Sequence, residues 1–444
     1  MTIPAVLRQW PAHQRTLALA LPMIFSNITT PLLGLVDTAV IGHLSEAYYL
    51  GGVAVGAMII TLLWWVLGFL RMATTGLVAQ GFGQQHWPNQ IAVLWQGLCC
   101  AAALALALLL LQQPLLQGGI ALIGGSAEVQ HYALEYAQIR IWGAPAALMN
   151  LVLLGFLLGR QQAKAAMLLL ILTNSLNIGL DLLLVVGFEW GVAGAAMATV
   201  IADYSALAAG LWLSWRQIPA AQRLRQRLHL RGIGKLLALN RDIFLRSLCL
   251  QLCIAFVTAQ GARMGDAIVA ANSVLMNLTL LIAYALDGIA YSAEAQVGQA
   301  VGKADQRRVR DAIWLCWSWS ALTALLFSVG FLLAGESLIA LLTDIESVRL
   351  GAQHYLGWLV AYPLVAFTCF LFDGVYIGAA KGRAMRNSML ISALGFFALW
   401  WLSQSYGNHG LWLAFCGFAL LRSLTLAAHY LYRQHQQRWL ADGH

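Results

Sequence analysis

The sequence predicts an all-α integral membrane protein with twelve transmembrane helices. Hydrophobic residues fill 60% of the 444 positions and charged residues only 10%, whereas an ordinary soluble domain carries about 25% charged residues. The apolar residues fall in long runs, such as the uncharged segment 91–111, and about 20 such residues can cross a bilayer. These runs recur along the chain and leave no room for a soluble domain beyond loops and tails.

Twelve apolar segments are the predicted membrane helices. We place them at 15–41, 48–71, 90–112, 130–158, 165–187, 191–215, 242–262, 267–293, 309–334, 351–378, 385–404 and 408–432. With twelve helices, most basic loop residues fall on one side of the membrane, and the loops on the other side carry mostly acidic residues. The positive-inside rule then places both termini and the central loop on the cytoplasmic side of the membrane. Residues 1–15 lack the features of a signal peptide, so we expect the first helix to remain in the protein.

The central segment 216–241 is rich in arginine and contributes to the net charge of +8. It could be a basic binding patch, but its interspersed leucines favour an amphipathic connector that lies on membrane lipid with its arginines at anionic headgroups. We therefore expect no nucleic-acid partner. The predicted domains are an N-terminal lobe at 1–215, the cytoplasmic connector at 216–241 and a C-terminal lobe at 242–444.

The two halves show weak internal similarity at a constant offset of about 219 residues. The matched pairs are Gln80 with Gln299, Gly83 with Gly302, Pro145 with Pro363, Gly155 with Gly374, and Gly159 with Gly378. A repeat of six helices preserves their direction, so we expect two pseudo-symmetric six-helix bundles related by an axis along the membrane normal, with substrate in the cleft between them.

Charged residues inside the helices are the informative ones, because an ionised carboxylate at mid-membrane costs about 2.5–3.5 kcal/mol on insertion scales. The acidic residues of this kind are Asp37, Asp181, Asp203, Asp287 and Asp373, and the basic ones are Arg140, Arg246 and Arg422. Intramembrane carboxylates are functional candidates by default.

Asp37, Asp181 and Thr199 are expected at one depth, about 12–14 Å below the outer surface. Asn177 precedes Asp181 by four residues and shares its helix face. Two carboxylates, an amide and a hydroxyl suit a proton or small-cation site, because close carboxylates raise one another's pKa. The alternative for Asn177 and Thr199 is ordinary hydrogen bonding between helices. Arg140 would weaken the proton-site hypothesis if it neutralised either carboxylate.

In the second lobe, the estimated depths of Asp373 and Arg422 overlap, which favours a structural ion pair. Asp287 could pair with Arg246 or Arg422 in the same way. Asp203 shares a helix face with Thr199, but the sequence assigns it no role.

Enzyme signatures are missing from the sequence. The seven cysteines lie in apolar segments and are expected to be unpaired packing residues. The helices contain no metal-ligand cluster and no nucleophile–base pair, and the chain has no Walker motif. We therefore predict no enzymatic activity, no metal site and no cofactor.

The segment LPMIFSNITTPLLGLVDTAVIGHL at 21–44 resembles the first helix of multidrug and toxic compound extrusion (MATE) transporters, in particular their DinF-like branch. The resemblance continues through 71–84 and 174–184 and spans all twelve helices. It implies two six-helix bundles, a cavity for amphiphilic drugs between them, and antiport driven by protons or sodium. It also implies that Asp37 is the central coupling carboxylate and that Pro22 permits bending of the first helix.

The resemblance further implies that Tyr136, Asn177, Asp181 and Thr199 complete the coupling network. Tyr136 rests on the resemblance alone. Other branches of the family place cation-binding acids in the second lobe. In this chain, only Asp373 could correspond to such an acid.

The predicted function is therefore multidrug efflux, by a monomer, of small amphiphilic and mostly cationic compounds in exchange for protons. Sodium coupling is one alternative, and a lipid-linked-oligosaccharide flippase of the same superfamily is another. A major-facilitator transporter would usually carry a GxxxDRxGRR-like motif after its second helix, and this sequence has none there.

Overall fold

The structure is a computed structural model that describes residues 5–41, 47–124, 126–223, 232–436 and 439–440, without the side chains of 30–41, 47 and 223. This part of the chain contains helices and no strands. A helix satisfies every internal backbone hydrogen bond within its own segment, which is the condition for crossing lipid. The fold is that of an all-α membrane protein, as predicted.

The helices are numbered α1 to α17 in chain order. They are α1 Trp10–Ile41, α2 Ala47–Val66, α3 Phe69–Gly83, α4 Trp87–Leu110, α5 Gln112–Ile123, α6 Ala127–Arg140, α7 Ala144–Gly159, α8 Ala163–Asp181, α9 Gly191–Gln217, α10 Ala220–Arg223, α11 Ile233–Arg263, α12 Asp266–Gly302, α13 Gln306–Leu342, α14 Glu346–His354, α15 Leu356–Gly378, α16 Gly382–Ser403 and α17 Asn408–His435.

Eleven helical segments of the described chain are long and apolar enough to span a membrane, with α2–α3 and α6–α7 each forming one span. The 32-residue α1 corresponds to the first of the twelve predicted helices. Leucines on the outside of these helices are widely exposed, for example Leu333 at 80% and Leu341 at 82%. Such surfaces suit lipid and not water.

Several helices extend beyond their predicted ends. The second span continues to Gly83 where we predicted 71, and α12 continues to Gly302 where we predicted 293. Both extensions are rich in glycine, alanine and glutamine, so their hydropathy falls although close helix packing maintains the helix. The short helices α5 and α14 were not predicted as separate elements.

Contacts divide the chain into two compact units, Phe25–Leu237 and a second unit made of Met1–Ile24 with Ala238–His444. We call them the N-lobe and the C-lobe. The predicted domains at 1–215, 216–241 and 242–444 stay a prediction. Within α1, the carbonyl oxygen of Thr16 accepts from the Ser292 hydroxyl at 3.1 Å, which ties the start of the helix to α12. Of the predicted connector 216–241, residues 224–231 lie outside the described part of the chain.

The internal repeat is visible as two equivalent helix crossings. A Cβ on Gly155 would lie 2.6 Å from the carbonyl oxygen of Arg71, and one on Gly374 would overlap the carbonyl oxygen of Ala290. One turn later, Gly159 and Gly378 approach Thr75 and Glu294 in the same way, at 2.8 and 2.5 Å. All these pairs keep the predicted offset of about 219 residues, and small residues permit such close approach.

The turns between helices repeat as well. Gln85 and Ala304 both have φ near +55°, and so do Gln161 and Ala380, at φ 61° and 54°. His86 caps α4 by accepting from Asn89 N, and Asp305 caps α13 by accepting from Arg308 N. These crossings and turns of one lobe recur in the other at one offset, so the two halves of the chain repeat one helical pattern.

Candidate functional site

The polar network of the N-lobe lies between α8 and α9. Asn177 and Asp181 are both 1% exposed on one face of α8, and Thr199 lies opposite them on α9. The Thr199 hydroxyl donates to the Ala195 carbonyl oxygen at 3.1 Å, which fixes it on its own helix. The structure thus brings together three of the residues predicted at one depth.

The Asn177 amide bridges Asp181 and Thr199. Its Nδ2 donates to Asp181 Oδ2 at 3.2 Å, and its Oδ1 accepts from the Thr199 backbone N–H at 3.2 Å and lies 3.0 Å from the Thr199 hydroxyl oxygen. An amide offers both a donor and an acceptor, so Asn177 can link a carboxylate on one side to a threonine on the other.

Asp181 ends the regular part of its helix. The following residues, Leu182–Gly187, form a π-helical segment, and the Phe188 amide donates to the Leu183 carbonyl oxygen at 2.9 Å. Single π-helical turns are rare and occur frequently at functional sites. The local backbone therefore singles out Asp181.

Tyr136 is buried on α6 next to the same part of α9. It packs with Val53, Val185, Ala195 and Ala196. Ala195 is the residue whose carbonyl accepts from Thr199, so the structure places Tyr136 beside the network.

Asp37 lies on α1, but its side chain is outside the described part of the structure. Its predicted place in the network therefore stays a prediction. Two described contacts bear on α1 itself. Asn174 Nδ2 donates to the Thr29 hydroxyl at 2.9 Å, which links α1 to α8. Pro22 lies two residues before the point at which α1 passes from the C-lobe to the N-lobe.

Asp203 and Arg140 form an ion pair one turn of α9 beyond Thr199. Arg140 Nη1 lies 2.9 Å from Asp203 Oδ2. Asn150 on α7 donates from Nδ2 to the Asp203 carbonyl oxygen, also at 2.9 Å. The partner of Arg140 is therefore Asp203, the one intramembrane acid to which the sequence assigned no role.

In the C-lobe, Asp373 is held by two arginines. Arg422 Nη2 donates to Asp373 Oδ2 at 2.7 Å, and Arg246 Nη2 contacts the same oxygen. All three side chains are nearly buried. The predicted Asp373–Arg422 pair is confirmed. The sequence left open whether Arg246 would meet Asp287, and it meets Asp373.

Sequence reasoning missed some of the buried charged residues, among them one in each lobe at the end of a predicted helix. Arg71 on α3 and Glu294 on α12 are 8% and 1% exposed. The predicted helices ended at 71 and 293, so both residues were taken for helix ends. The signal that could have found them is the glycine- and alanine-rich sequence that continues after each one.

The structure groups no three His, Cys, Asp or Glu side chains of the described chain closely enough to hold a metal ion. All seven cysteines are free.

Comparison with known proteins bears on the fold and the family. The MatE family model matches residues 22–183 and 243–401. DNA damage-inducible protein F of Escherichia coli K12 is 48% identical over 439 residues, which cover 95% of this chain and 93% of that protein. A probable multidrug resistance protein NorM of Xanthomonas campestris pv. campestris is 26% identical, covering 96% of this chain and 94% of that one.

A solved structure shares the fold at low identity. It is the outward-facing conformation of a multidrug resistance MATE family transporter, with a TM-score of 0.84, 19% identity and 96% of both chains covered. The two matched halves of the family model coincide with the two repeated lobes. The chain therefore belongs to the MatE family, whose members are membrane transporters and not enzymes.

Proposed function

We propose that this transporter exports amphiphilic, mostly cationic compounds across a bacterial inner membrane in exchange for protons, with both termini in the cytoplasm. The observation that carries the proposal is the buried Asp181–Asn177–Thr199 network. In it, the neutral amide of Asn177 links the buried Asp181 carboxylate to Thr199. A neutral partner does not hold the carboxylate in one charge state, so the carboxyl can bind and release a proton during each cycle.

In the proposed cycle, a proton enters from the outer side and binds at Asp37, which shares it with Asp181, Asn177 and Thr199. Neutralisation removes the cost of enclosing an ionised carboxylate. Bending of α1 near Pro22 then changes the cavity, so that substrate leaves outward and the proton later leaves inward. The proton must bind the outward-open and inward-open states unequally, because coupling is a difference in affinity between states.

Two alternatives remain open to test. The oxygen atoms of Asp181 and Thr199 would also suit a sodium ion. Drug efflux coupled to sodium entry would need no pH gradient. A flippase for a lipid-linked pyrophosphate would need unpaired arginines facing its substrate. The three arginines that were identified from the sequence as intramembrane, Arg140, Arg246 and Arg422, contact carboxylates, which favours drug efflux.

The test is drug efflux from proteoliposomes under an imposed pH gradient, with and without sodium. Asp37→Asn should fold and reach the membrane but lose efflux driven by the gradient, since it mimics the protonated state permanently. Asp181→Asn should be impaired in the same direction. Asp344→Asn removes an exposed loop charge and serves as the control with normal efflux.

Wild-type efflux that needs sodium and ignores the pH gradient would replace proton coupling by sodium coupling. Full activity of Asp37→Asn would contradict both forms of the proposal. The topology has its own test, since cysteine-accessibility labelling should find residues 218–235 and both termini on the cytoplasmic side.

A further inference from the structure

A partly open cavity of about 180 Å³ lies in the N-lobe, next to the Asp203–Arg140 pair. Its walls are mostly leucine and alanine from α7, α8 and α9, and its polar lining consists of Trp64, Arg140, Asn150, Thr173 and Asp203. It is therefore an apolar chamber with a few polar groups at one ion pair.

Polar atoms of the lining lack hydrogen-bond partners although they are buried. Asn150 Oδ1 and Trp64 Nε1 have none. Arg140 Nη1 and Asp203 Oδ2 are paired with one another at 2.9 Å. Arg140 and Asn150 are more than nine-tenths buried. A buried donor or acceptor without a partner costs about 1–3 kcal/mol, so Asn150 Oδ1 and Trp64 Nε1 indicate a polar occupant of the cavity.

The cavity lies one helical turn from the Asp181–Asn177–Thr199 network. Thr173 lies four residues before Asn177 on α8, and Asp203 lies four residues after Thr199 on α9. Positions four apart share a helix face, and one turn advances about 5–6 Å along the axis. The volume would hold about six water molecules at their share of liquid volume.

We propose that this cavity is a proton-release chamber in which Asp203 receives the proton from the Asp181 network and Arg140 controls its affinity. The proposal rests on the proton-coupled function above. The O–H bond of the protonated network carboxyl breaks, the proton moves along hydrogen-bonded water, and a new O–H bond forms at Asp203 Oδ2. Neutral Asp203 no longer attracts Arg140, whose guanidinium carbon already lies 6.0 Å from the Trp64 ring centre and can turn toward that ring.

The ion pair re-forms when the proton leaves Asp203 toward the cytoplasm. The groups facing Asp203 are Arg140 from α6, Asn150 from α7, Thr173 from α8 and Trp64 from α2. Arg140 is the one titratable or charged group among them. The affinity of Asp203 for a proton therefore depends on whether Arg140 is paired with it.

The decisive variant is the double substitution Arg140→Gln/Asp203→Asn, which removes both charges and leaves no buried charge uncompensated. We expect normal folded yield and normal drug binding. We expect pH-gradient-driven efflux to fall about tenfold or more, because a proton-transfer group is missing. Drug exchange at equilibrium, which moves no net proton, should stay near the wild-type rate.

Wild-type gradient-driven efflux in the double variant would overturn the proposal and leave the pair purely structural. If the double variant does not reach the membrane, Asp203→Glu decides. It keeps the carboxyl, so coupled efflux should persist with a shifted pH dependence. An unchanged pH dependence of efflux would reject proton transfer through Asp203. Failure of the proposed function is seen separately, as wild-type efflux that does not respond to the pH gradient.

Discussion

The two lobes share one fold but differ in the chemistry of equivalent positions. Asn177 and Thr199, which hydrogen-bond in the N-lobe, correspond at the repeat offset to Phe396 and Phe418 in the C-lobe. Those two rings pack edge to face at 5.8 Å between their centres. The crossing of the two helices is thus maintained by a polar contact in one lobe and by an aromatic contact in the other.

The buried carboxylates of the two lobes also differ, although they do not occupy equivalent positions. Asp181 accepts from the neutral amide of Asn177, whereas Asp373 is held by Arg246 and Arg422. From this difference we expect a structural role for Asp373 and a functional one for Asp181.

The largest expected difference between the lobes is in folding. Asp373→Asn leaves Arg246 and Arg422 buried without a counter-charge, which should cost about 3–5 kcal/mol and sharply lower the folded yield. Asp181→Asn leaves no uncompensated arginine among its described neighbours and should fold normally while losing coupling. Fluorescence-detected size-exclusion chromatography measures both yields.

Reversal of the C-lobe pair sharpens this test. Asp373→Arg combined with Arg422→Asp should restore part of the yield that Asp373→Asn loses, because opposite charges are again adjacent. Normal yield of Asp373→Asn together with abolished transport would reverse the assignment and make Asp373 a coupling residue.

Substitution of the glycines at the helix crossings should cause a smaller loss of stability. Gly378→Ala places a methyl group 2.5 Å from the Glu294 carbonyl oxygen, and Gly159→Ala places one 2.8 Å from that of Thr75. Each should lower thermal stability by about 1–3 kcal/mol through overpacking, with Gly378→Ala the worse of the two. Gly179→Ala, whose methyl group meets nothing within 4 Å, is the matched control. A similar melting temperature for all three would contradict the repeated close approach.

The smallest effect should come from single hydroxyls. Thr199→Val and Thr279→Val each remove a hydrogen bond to the preceding turn of the same helix, which is worth about 0.5–1.5 kcal/mol. Only Thr199→Val should also shift the pH dependence of efflux, since Thr199 contacts Asn177. An equal shift in both variants would remove Thr199 from the proposed network.

The sequence alone determined the class, the helices and the repeat. The sequence of a membrane protein predicts much of its fold, because each span must be apolar and close helix contacts require small residues at fixed positions. Asn177, Asp181 and Thr199 were also predicted together, since helix rise converts sequence spacing into depth. The role of Asp37 still rests on sequence.

Tertiary structure decided which charges meet. The Asp203–Arg140 pair, the second arginine on Asp373, and the burial of Arg71 and Glu294 depend on helices distant in sequence. Depth can be read from the chain, but the rotation of each helix about its axis cannot. That rotation selects the side chains that face one another, and it is set by the packing of the whole lobe.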